Sequence, residues 1–249
     1  MKALKRFVLM LQFFTRIPIK IQITANSSDF GKGLLFAPFV GLIIGAVLTI
    51  TAYGLLFIFP KVMVSAIILV LYMVVTGGLH LDGLGDTFDG IFSNRPRERI
   101  LEIMRDSRVG TNAVLAVFSV LLLDFAALTQ INNEYYLRII LLMPMAGRIG
   151  SLVGAAASNY ARQGEGLGKS FIDFCGRKEL VWGLVIYSVI SLLTLDYKLW
   201  IVMLPPPILA FFLVRYFSSK IGGATGDILG AVCELNQCIF LLLTCALLA

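Results

Sequence analysis

The sequence has few residues that prefer water. Charged side chains make up 14% of its 249 residues and hydrophobic ones 58%, whereas about one quarter of the residues in a soluble domain are charged. This scarcity of charge excludes an ordinary soluble domain. Apolar runs of nearly the roughly 20 residues that a helix needs to cross a bilayer recur through most of the chain. We therefore expect one integral membrane domain over residues 1–249.

Histidine and paired cysteines, the usual ligands of zinc, are also scarce. His80 is the only histidine. The four cysteines form no CxxC pair; they are Cys175, Cys233, Cys238 and Cys245. A zinc site would lack ligands, so we interpret the cysteines as packing residues.

The amino-terminal segment is not expected to be a cleavable signal peptide. The apolar run 7–14 follows three basic residues, but it is short and no cleavage site of small residues comes after it. We expect residues 1–20 to form a basic helix at the membrane interface instead.

Seven apolar runs are candidate membrane-spanning helices. Alternating strands of about ten residues are not visible, so we expect an all-α, polytopic membrane bundle. The spans cover residues 34–59, 62–79, 109–130, 136–158, 180–195, 199–217 and 228–249. The fifth is short, and Pro205, Pro206 and Pro207 interrupt the sixth, which a membrane helix tolerates when neighbours satisfy the freed carbonyls.

Basic residues are distributed unevenly between the two sides of this bundle. Seventeen of the 21 lysines and arginines fall on the side of the amino terminus, three fall on the other side, and Arg148 lies within a span. This asymmetry predicts a cytoplasmic amino terminus and an external carboxyl terminus. It also argues against nucleic acid as the partner behind the net charge of +6. Membrane lipid is the expected surrounding, and a homo-oligomer is left open.

The segment 77–90 carries the strongest local motif, at the cytoplasmic end of the second span. Asp82, Asp86 and Asp89 are spaced i, i+4, i+7, so on a helix their carboxylates share a face and repel one another unless a cation or proton intervenes. Such oxygen-rich clusters suit Mg²⁺, which bridges to substrate phosphates. The alternative is a solvated loop. His80 lies about 200° from Asp82 on such a helix, so it is either a general base or a hydrogen-bonded interfacial residue.

Two further segments on the same side combine charges with special positions. The segment 93–108 has the pattern of a short amphipathic surface helix, on which the glutamates pair with arginines. At its end, Arg105 and Arg108 are suited to clamp phosphate oxygens, and Asp106 to add a metal ligand. The segment 160–168 contains Arg162, Glu165 and three glycines. These glycines suit close approach to a bulky ligand or an ordinary flexible connector.

The segment 222–227 is a second glycine-rich motif, directly before the seventh span. Backbone amides at a helix start favour an anion. The residues expected to bind one there are Gly222, Gly223, Thr225 and Gly226. Asp227 either caps the helix or belongs to a site, and it shares a helical face with Glu234, at a depth where ionisable groups usually line a site. The spacing Gly-Gly-x-x-x-Asp also occurs at 77–82, so we expect the two segments to meet.

Five segments together resemble the cobalamin synthase family, also called adenosylcobinamide-GDP ribazoletransferases. They are Phe14-Thr15-Arg16-Ile17-Pro18, Gly77 to Gly90, Leu101 to Thr111, Tyr160 with Gly164 to Gly168, and Gly222 to Asp227 with Gly230-Ala231. They follow the family's order and span nearly the whole chain. The sequence departs from the pattern at Gly85, where alanine is usual, and at Gln237, where a glutamate is common. The second departure puts a metal ligand at position 237 in doubt.

The resemblance implies the last assembly step of the cobalamin pathway, at the inner face of the bacterial inner membrane. Adenosylcobinamide-GDP and α-ribazole, or its 5′-phosphate, would give adenosylcobalamin, or its phosphate, and GMP. Such enzymes depend on Mg²⁺. The expected catalytic residues are Asp82, Asp86, Asp89 and Asp106, one of which is alternatively the base. The expected metal ligands are Asp82, Asp86, Asp89, Asp227 and Glu234. The expected substrate contacts are His80, Arg105, Arg108, Arg162, Glu165, Gly222, Gly223, Thr225 and Gly226.

Two other functions fit part of the pattern. A membrane phosphotransferase with a different alcohol acceptor also uses aspartates at cytoplasmic helix ends, although its usual alanine-arginine between aspartate pairs is absent here. A transporter is consistent with glycine breaks and with Asp124, Arg148 and Glu234 inside spans. A transporter would have its decisive charges near mid-bilayer, whereas most of the charged motifs of this chain lie at one surface.

Overall fold

A computed structural model describes residues 2–248, which form helices joined by short connections. The α-helices are α1 (Lys2–Phe14), α2 (Ser27–Gly33), α3 (Ala37–Leu55), α4 (Lys61–Thr76), α5 (Leu79–Ile91), α6 (Arg97–Ile103), α7 (Thr111–Gln130), α8 (Asn133–Ala156), α9 (Leu167–Phe174), α10 (Arg177–Thr194), α11 (Pro205–Ile221) and α12 (Gly226–Leu248). Two 3-10 helices, Leu34–Phe36 and Tyr197–Met203, precede α3 and α11. The predicted all-α class is confirmed.

The seven predicted spans all coincide with helices, namely α3, α4, α7, α8, α10, α11 and α12. Five stretches are long and apolar enough to cross a membrane, and the bent pair α4 and α5 makes a sixth if it is counted as one span. The 18-residue α10 is less apolar because Arg177, Lys178 and Glu179 occupy its first turn. The chain is a polytopic helical membrane protein.

Helix α8 lies at the centre of the bundle and packs closely against α3. A Cβ atom at Gly45 of α3 would lie 1.9 Å from the Leu141 carbonyl oxygen, and one at Gly41 would lie 2.6 Å from the Met145 Cα. These glycines let the two backbones touch, which is how membrane helices gain dispersion contacts where lipid offers no hydrophobic drive.

The prolines of the sixth predicted span begin a helix instead of interrupting one. Pro205 and Pro206 occupy the first turn of α11, where the missing N–H has no intrahelical partner in any case. The preceding residues of the predicted span form the 3-10 helix Tyr197–Met203. The single span predicted over 199–217 is therefore a short 3-10 segment followed by an α-helix that ends at Ile221.

The predicted basic helix over residues 1–20 is shorter and is the helix α1. Lys5 and Arg6 contact Asp29 at 2.6 and 3.1 Å. Since Asp29 is part of the capping box of α2, these ion pairs fasten α1 to the element that leads into α3.

Two glycine-rich breaks bring α5 and α12 together. Gly77 and Gly222 end α4 and α11 in the left-handed conformation, with φ of 64° and 73°, and α5 then lies at 89° to α4. A Cβ at Gly83 would lie 2.8 Å from the Asp227 carbonyl oxygen, so α5 contacts the first turn of α12. The predicted meeting of the two motifs is confirmed. We call this end of the bundle, where α4 and α11 end and α7 and α12 begin, the site end.

Candidate active site

The three aspartates of α5 lie beside a large open cavity at the site end. Asp82 is exposed, and Asp86 and Asp89 are half-buried. The cavity has a volume of about 790 Å³. Its charged lining residues are Asp82, Asp86, Asp89, Arg105, Asp106 and Arg108. The structure therefore places six of the predicted residues around one space that is large enough for part of a substrate.

Asp86 is the aspartate whose ionisation is most perturbed. Helix α5 begins where the predicted second span, 62–79, ends, and it lies at 89° to α4. Burial, followed by the negative charges of Asp82 and Asp227, raises the pKa of Asp86 to about 7, and Arg162 only partly offsets this. Three carboxylates on two helices are thus close enough to repel one another, which is an arrangement that a cation would relieve.

Asp227 faces this cluster from the first turn of α12. It accepts a hydrogen bond from the Arg162 guanidinium at 2.8 Å and one from the Thr225 hydroxyl at 3.2 Å. Thr225 also accepts the amide N–H of Ile228, so Thr225, and not Asp227, caps α12 by its side chain. Asp227 is therefore available to a site. We call Asp82, Asp86 and Asp227, with Arg162, the aspartate site.

Asp89 caps the start of α7, a role that its spacing in the sequence did not predict. Its two carboxylate oxygens accept the amide N–H groups of Gly110 at 2.6 Å and Ala113 at 2.9 Å. These are amides at the start of α7, which have no partner within their own helix. Asp89 therefore ties α5 to α7, and it has fewer lone pairs left for a metal than Asp82 or Asp86.

Asp106 and the two predicted arginines form the exposed rim of the cavity. The Arg108 guanidinium donates to both oxygens of Asp106, and this hydrogen bonding lowers the pKa of Asp106 to about 2. Asp106 is consequently ionised and paired in this arrangement. Arg105 is exposed and lines the same cavity, so it is free to meet an anionic ligand.

His80 and Glu234 lie deeper in the bundle. His80 is buried, with Nδ1 3.3 Å from the Cys233 sulfur and 3.9 Å from Glu234 Oε1. Glu234 follows Asp227 by seven residues, which is about 10 Å along a helix, and accepts a 2.6 Å hydrogen bond from Tyr72. The structure does not bring Glu234 to the aspartates, and its role as a metal ligand stays a prediction.

A buried arginine balances the charge of Glu234. Arg148 donates to the Tyr72 hydroxyl at 3.1 Å, and Tyr72 in turn donates to Glu234. Within residues 2–248, His80, Cys233 and Glu234 are the one group of three potential metal-ligand atoms within 4.8 Å of one another. A metal there would lie near the Arg148 cation and be repelled in a low-dielectric interior. We call Tyr72, His80, Arg148 and Glu234 the interior network.

The glycine-rich turn at 222–226 pairs with the loop that carries Arg162. The Ala161 amide donates to the Ala224 carbonyl at 2.9 Å, and the Ala224 amide donates to the Asn159 carbonyl at 2.7 Å. Arg97 donates to the carbonyls of Ile221 and Ala161 and so holds both segments. Sequence analysis did not single out Arg97, because its partners lie 124 and 64 positions away and leave no local signal.

The remaining predicted contacts are dispersed around this pair of loops. Gly222 and Gly223 line a separate polar cavity of about 440 Å³ beside Arg215. Glu165 is exposed on the loop before α9. Gly226 lines a third cavity, of about 200 Å³, which α5 borders through His80 and Gly83 and not through its aspartates. The predicted substrate contacts therefore surround the aspartate site without forming a single surface.

Comparison with known proteins identifies relatives over the whole chain. Residues 6–245 match the family described as cobalamin-5-phosphate synthase. A protein of Clostridium acetobutylicum named adenosylcobinamide-GDP ribazoletransferase is 54% identical over 248 residues, covering 100% of this chain and 98% of its own. Proteins of the same name from Acetivibrio thermocellus and Thermoanaerobacter sp. are 57% and 39% identical, and cover 98% and 95% of both chains. No solved structure matches the chain.

Proposed function

The chain belongs to the cobalamin-5-phosphate synthase family, and on this premise we propose that it joins adenosylcobinamide-GDP to α-ribazole or its 5′-phosphate. The products are adenosylcobalamin, or its phosphate, and GMP. The observation that carries this proposal is sequence similarity: the chain is 54% and 57% identical to two proteins named for that transfer, over nearly the full length of both chains. The aspartate site supplies the chemistry that it requires.

The transfer exchanges one phosphorus–oxygen bond for another. A ribose hydroxyl of the acceptor attacks the phosphorus that carries cobinamide, the bond from that phosphorus to GMP breaks, and the hydroxyl proton passes to a base. The site must therefore offset the diphosphate charge, orient the hydroxyl and accept a proton. Acidic and basic groups meet these needs at the site end.

Asp82, Asp86 and Asp227 are suited to hold Mg²⁺. Their donor atoms are all carboxylate oxygens, and their mutual repulsion, seen in the raised pKa of Asp86, would be relieved by a cation. Mg²⁺ usually takes one or two protein carboxylates together with waters and substrate phosphates, so the aspartates need not converge on one point. When bound, the ion would offset charge on the diphosphate.

The other steps fall to side chains that the structure places around the cavity. One of the carboxylates of the site that does not contact the ion is the base that accepts the hydroxyl proton. Arg162 holds Asp227 in place. Arg105, on the exposed rim of the cavity, binds the phosphate oxygens of the donor, and Arg108 joins it when its pairing with Asp106 opens.

The orientation in the membrane follows from charge. Seventeen of the 21 basic residues belong to segments on the side of the amino terminus, and these segments include the loops of the site end. The positive-inside tendency then places the aspartate site in the cytoplasm and the carboxyl terminus outside. The membrane is the bacterial inner membrane.

Purified protein tests this proposal directly. Supplied with adenosylcobinamide-GDP, α-ribazole and Mg²⁺, it should release GMP and form adenosylcobalamin in equal amounts, and chelation of the metal should stop both. The Glu102→Ala variant is a suitable control, since Glu102 is exposed and paired with Arg99 on the surface of α6. Absence of GMP release from folded protein, or accumulation of a substrate in vesicles without product, would contradict the proposal.

A further inference from the structure

A small, largely apolar cavity lies behind the aspartate site, between α1, α5, α9 and α12. Its volume is about 200 Å³, and three phenylalanines are among the residues that line it. The rings of Phe14 and Phe171 are nearly parallel, at an angle of 19° and a distance of 6.2 Å, and the Phe13 ring lies 4.9 Å from that of Phe171. These rings pack on one another and form an aromatic wall that suits a flat, apolar ligand.

The size of the cavity limits what it can hold. An apolar cavity of about 150 Å³ in another protein stays dry and binds benzene, so a cavity somewhat larger suits a fused bicyclic ring. A corrin ring is far too large for this space. The cavity thus selects for one planar heterocycle and not for the bulk of the donor.

The cavity also has few polar groups that are free to bind a ligand. The Ser151 hydroxyl donates to the Leu229 carbonyl at 3.1 Å, and His80 Nδ1 lies against Cys233. Guanine carries donors and acceptors on several edges, and burying them without partners is costly. A benzimidazole with methyl substituents has far fewer such groups and fits these walls better.

The position of the cavity relative to the aspartates indicates how its ligand would be oriented. Asp227 lines the cavity and is one of the carboxylates of the aspartate site. Gly83 lies at the contact between α5 and Asp227, where a Cβ would come within 2.8 Å of the Asp227 carbonyl oxygen. A sugar attached to a heterocycle in the cavity would therefore emerge beside the carboxylates.

We propose that this cavity is the binding site for the base of the acceptor nucleoside, the dimethylbenzimidazole of α-ribazole, with its ribose directed to Asp227. The base stacks against Phe171 and Phe14, while the donor's diphosphate occupies the larger cavity, which the aspartates of α5 line. This inference rests on the proposed function. It assigns the two substrates to different faces of one helix.

Narrowing the mouth of the cavity tests this assignment. Leu167 lines the cavity and is 49% exposed, so Leu167→Trp adds a ring at the mouth with little disturbance to the core. We expect the KM for α-ribazole to rise about 10-fold or more, the range that a changed contact in an apolar pocket produces, while the KM for the donor changes less than 2-fold. Phe174→Trp is the matched control: Phe174 is 42% exposed on the same helix and should leave both constants unchanged.

A binding measurement separates this inference from the activity. By calorimetry on the full chain, free dimethylbenzimidazole should bind the wild type and the Phe174→Trp variant, and binding should be weakened in Leu167→Trp and in Phe171→Leu. The assignment would be overturned if the wild type did not bind the base. It would also be overturned if Leu167→Trp left the KM for the acceptor unchanged, or raised the KM for the donor and not that for the acceptor. If the wild type binds the base but releases no GMP, the proposed function fails and the base site stands.

Discussion

Two groups of charged residues each include side chains of the paired helices α5 and α12, and the groups differ in how their charge is balanced. In the aspartate site, Asp227 pairs with Arg162, which also acts on Asp86, and Asp82 and Asp86 border an open cavity. In the interior network, Glu234 and Arg148 are fully buried and are linked through the Tyr72 hydroxyl. Excess negative charge beside open space indicates a site that needs a ligand, whereas balanced charge in the interior indicates a group that holds helices together.

The largest effect is expected from removing a carboxylate of the aspartate site. Asp82→Ala should lower kcat about 1,000-fold (~4 kcal/mol in the barrier), as the loss of a group that stabilises transition-state charge does. Because Asp82 is exposed, the melting temperature should stay within a few degrees of wild type. Initial rates of GMP release and thermal melting in detergent check both statements. Near-normal turnover would remove Asp82 from the site.

The interior network should respond in stability more than in chemistry. Arg148→Met leaves Glu234 buried without a balancing cation, and breaking such a pair costs roughly 3 kcal/mol or more. The melting temperature should fall markedly. The double variant with Glu234→Gln should recover part of this loss, because the uncompensated charge is gone. A single variant as stable as the wild type would show that the two groups are not coupled.

The excess negative charge of the aspartate site should make the stability of the folded protein depend on pH. The pKa of Asp86 is raised from 3.8 to about 7 in the folded state, so the folded state holds this proton more tightly than the unfolded state does. Without divalent cations, stability should fall as pH rises through this window and level off above about 7. Melting curves from pH 5 to 8 test this. Asp86→Asn should show a weaker dependence, and an equal dependence in both proteins would contradict the account.

The smallest effect is expected at Asp89, which lies on the same face as the site but caps α7. Asp89→Ala removes acceptors for two helix-start amides, and losing a cap costs about 1 kcal/mol. Stability should fall by that amount, and activity should fall far less than in Asp82→Ala. If Asp89→Ala abolished turnover as completely, Asp89 would belong to the catalytic group as the sequence predicts.

The helices and the meeting of the two glycine motifs were predictable, because both depend on local patterns. Apolar length predicts a span, and the repeated Gly-Gly-x-x-x-Asp spacing predicts two similar breaks. The cap at Asp89 was not predictable, since its partners Gly110 and Ala113 are set by the docking of α7. The neighbour of His80 was not predictable either. Helical spacing shows that His80 does not share the face of the aspartates, but it does not show that His80 contacts Cys233.

The clamp at Arg97 and the aromatic cavity also depend on tertiary structure. Arg97 has the sequence context of a surface helix, yet it binds carbonyls of two distant loops. Phe14 and Phe171 are separated by most of the chain and become neighbours only when α9 packs against the amino-terminal elements. Sequence analysis therefore predicted candidate residues of the site but not the cavity walls around them.

Metal binding is the most direct test of the difference between the aspartate site and the interior network. Mn²⁺ can replace Mg²⁺ as a paramagnetic probe, and its binding to the purified full chain can be titrated by electron paramagnetic resonance in the presence of the donor substrate. Binding should be lost or strongly weakened in Asp82→Asn and Asp227→Asn and retained in Glu234→Gln. Retained binding in both aspartate variants, or its loss in Glu234→Gln with the fold intact, would contradict the account and place the metal in the interior network.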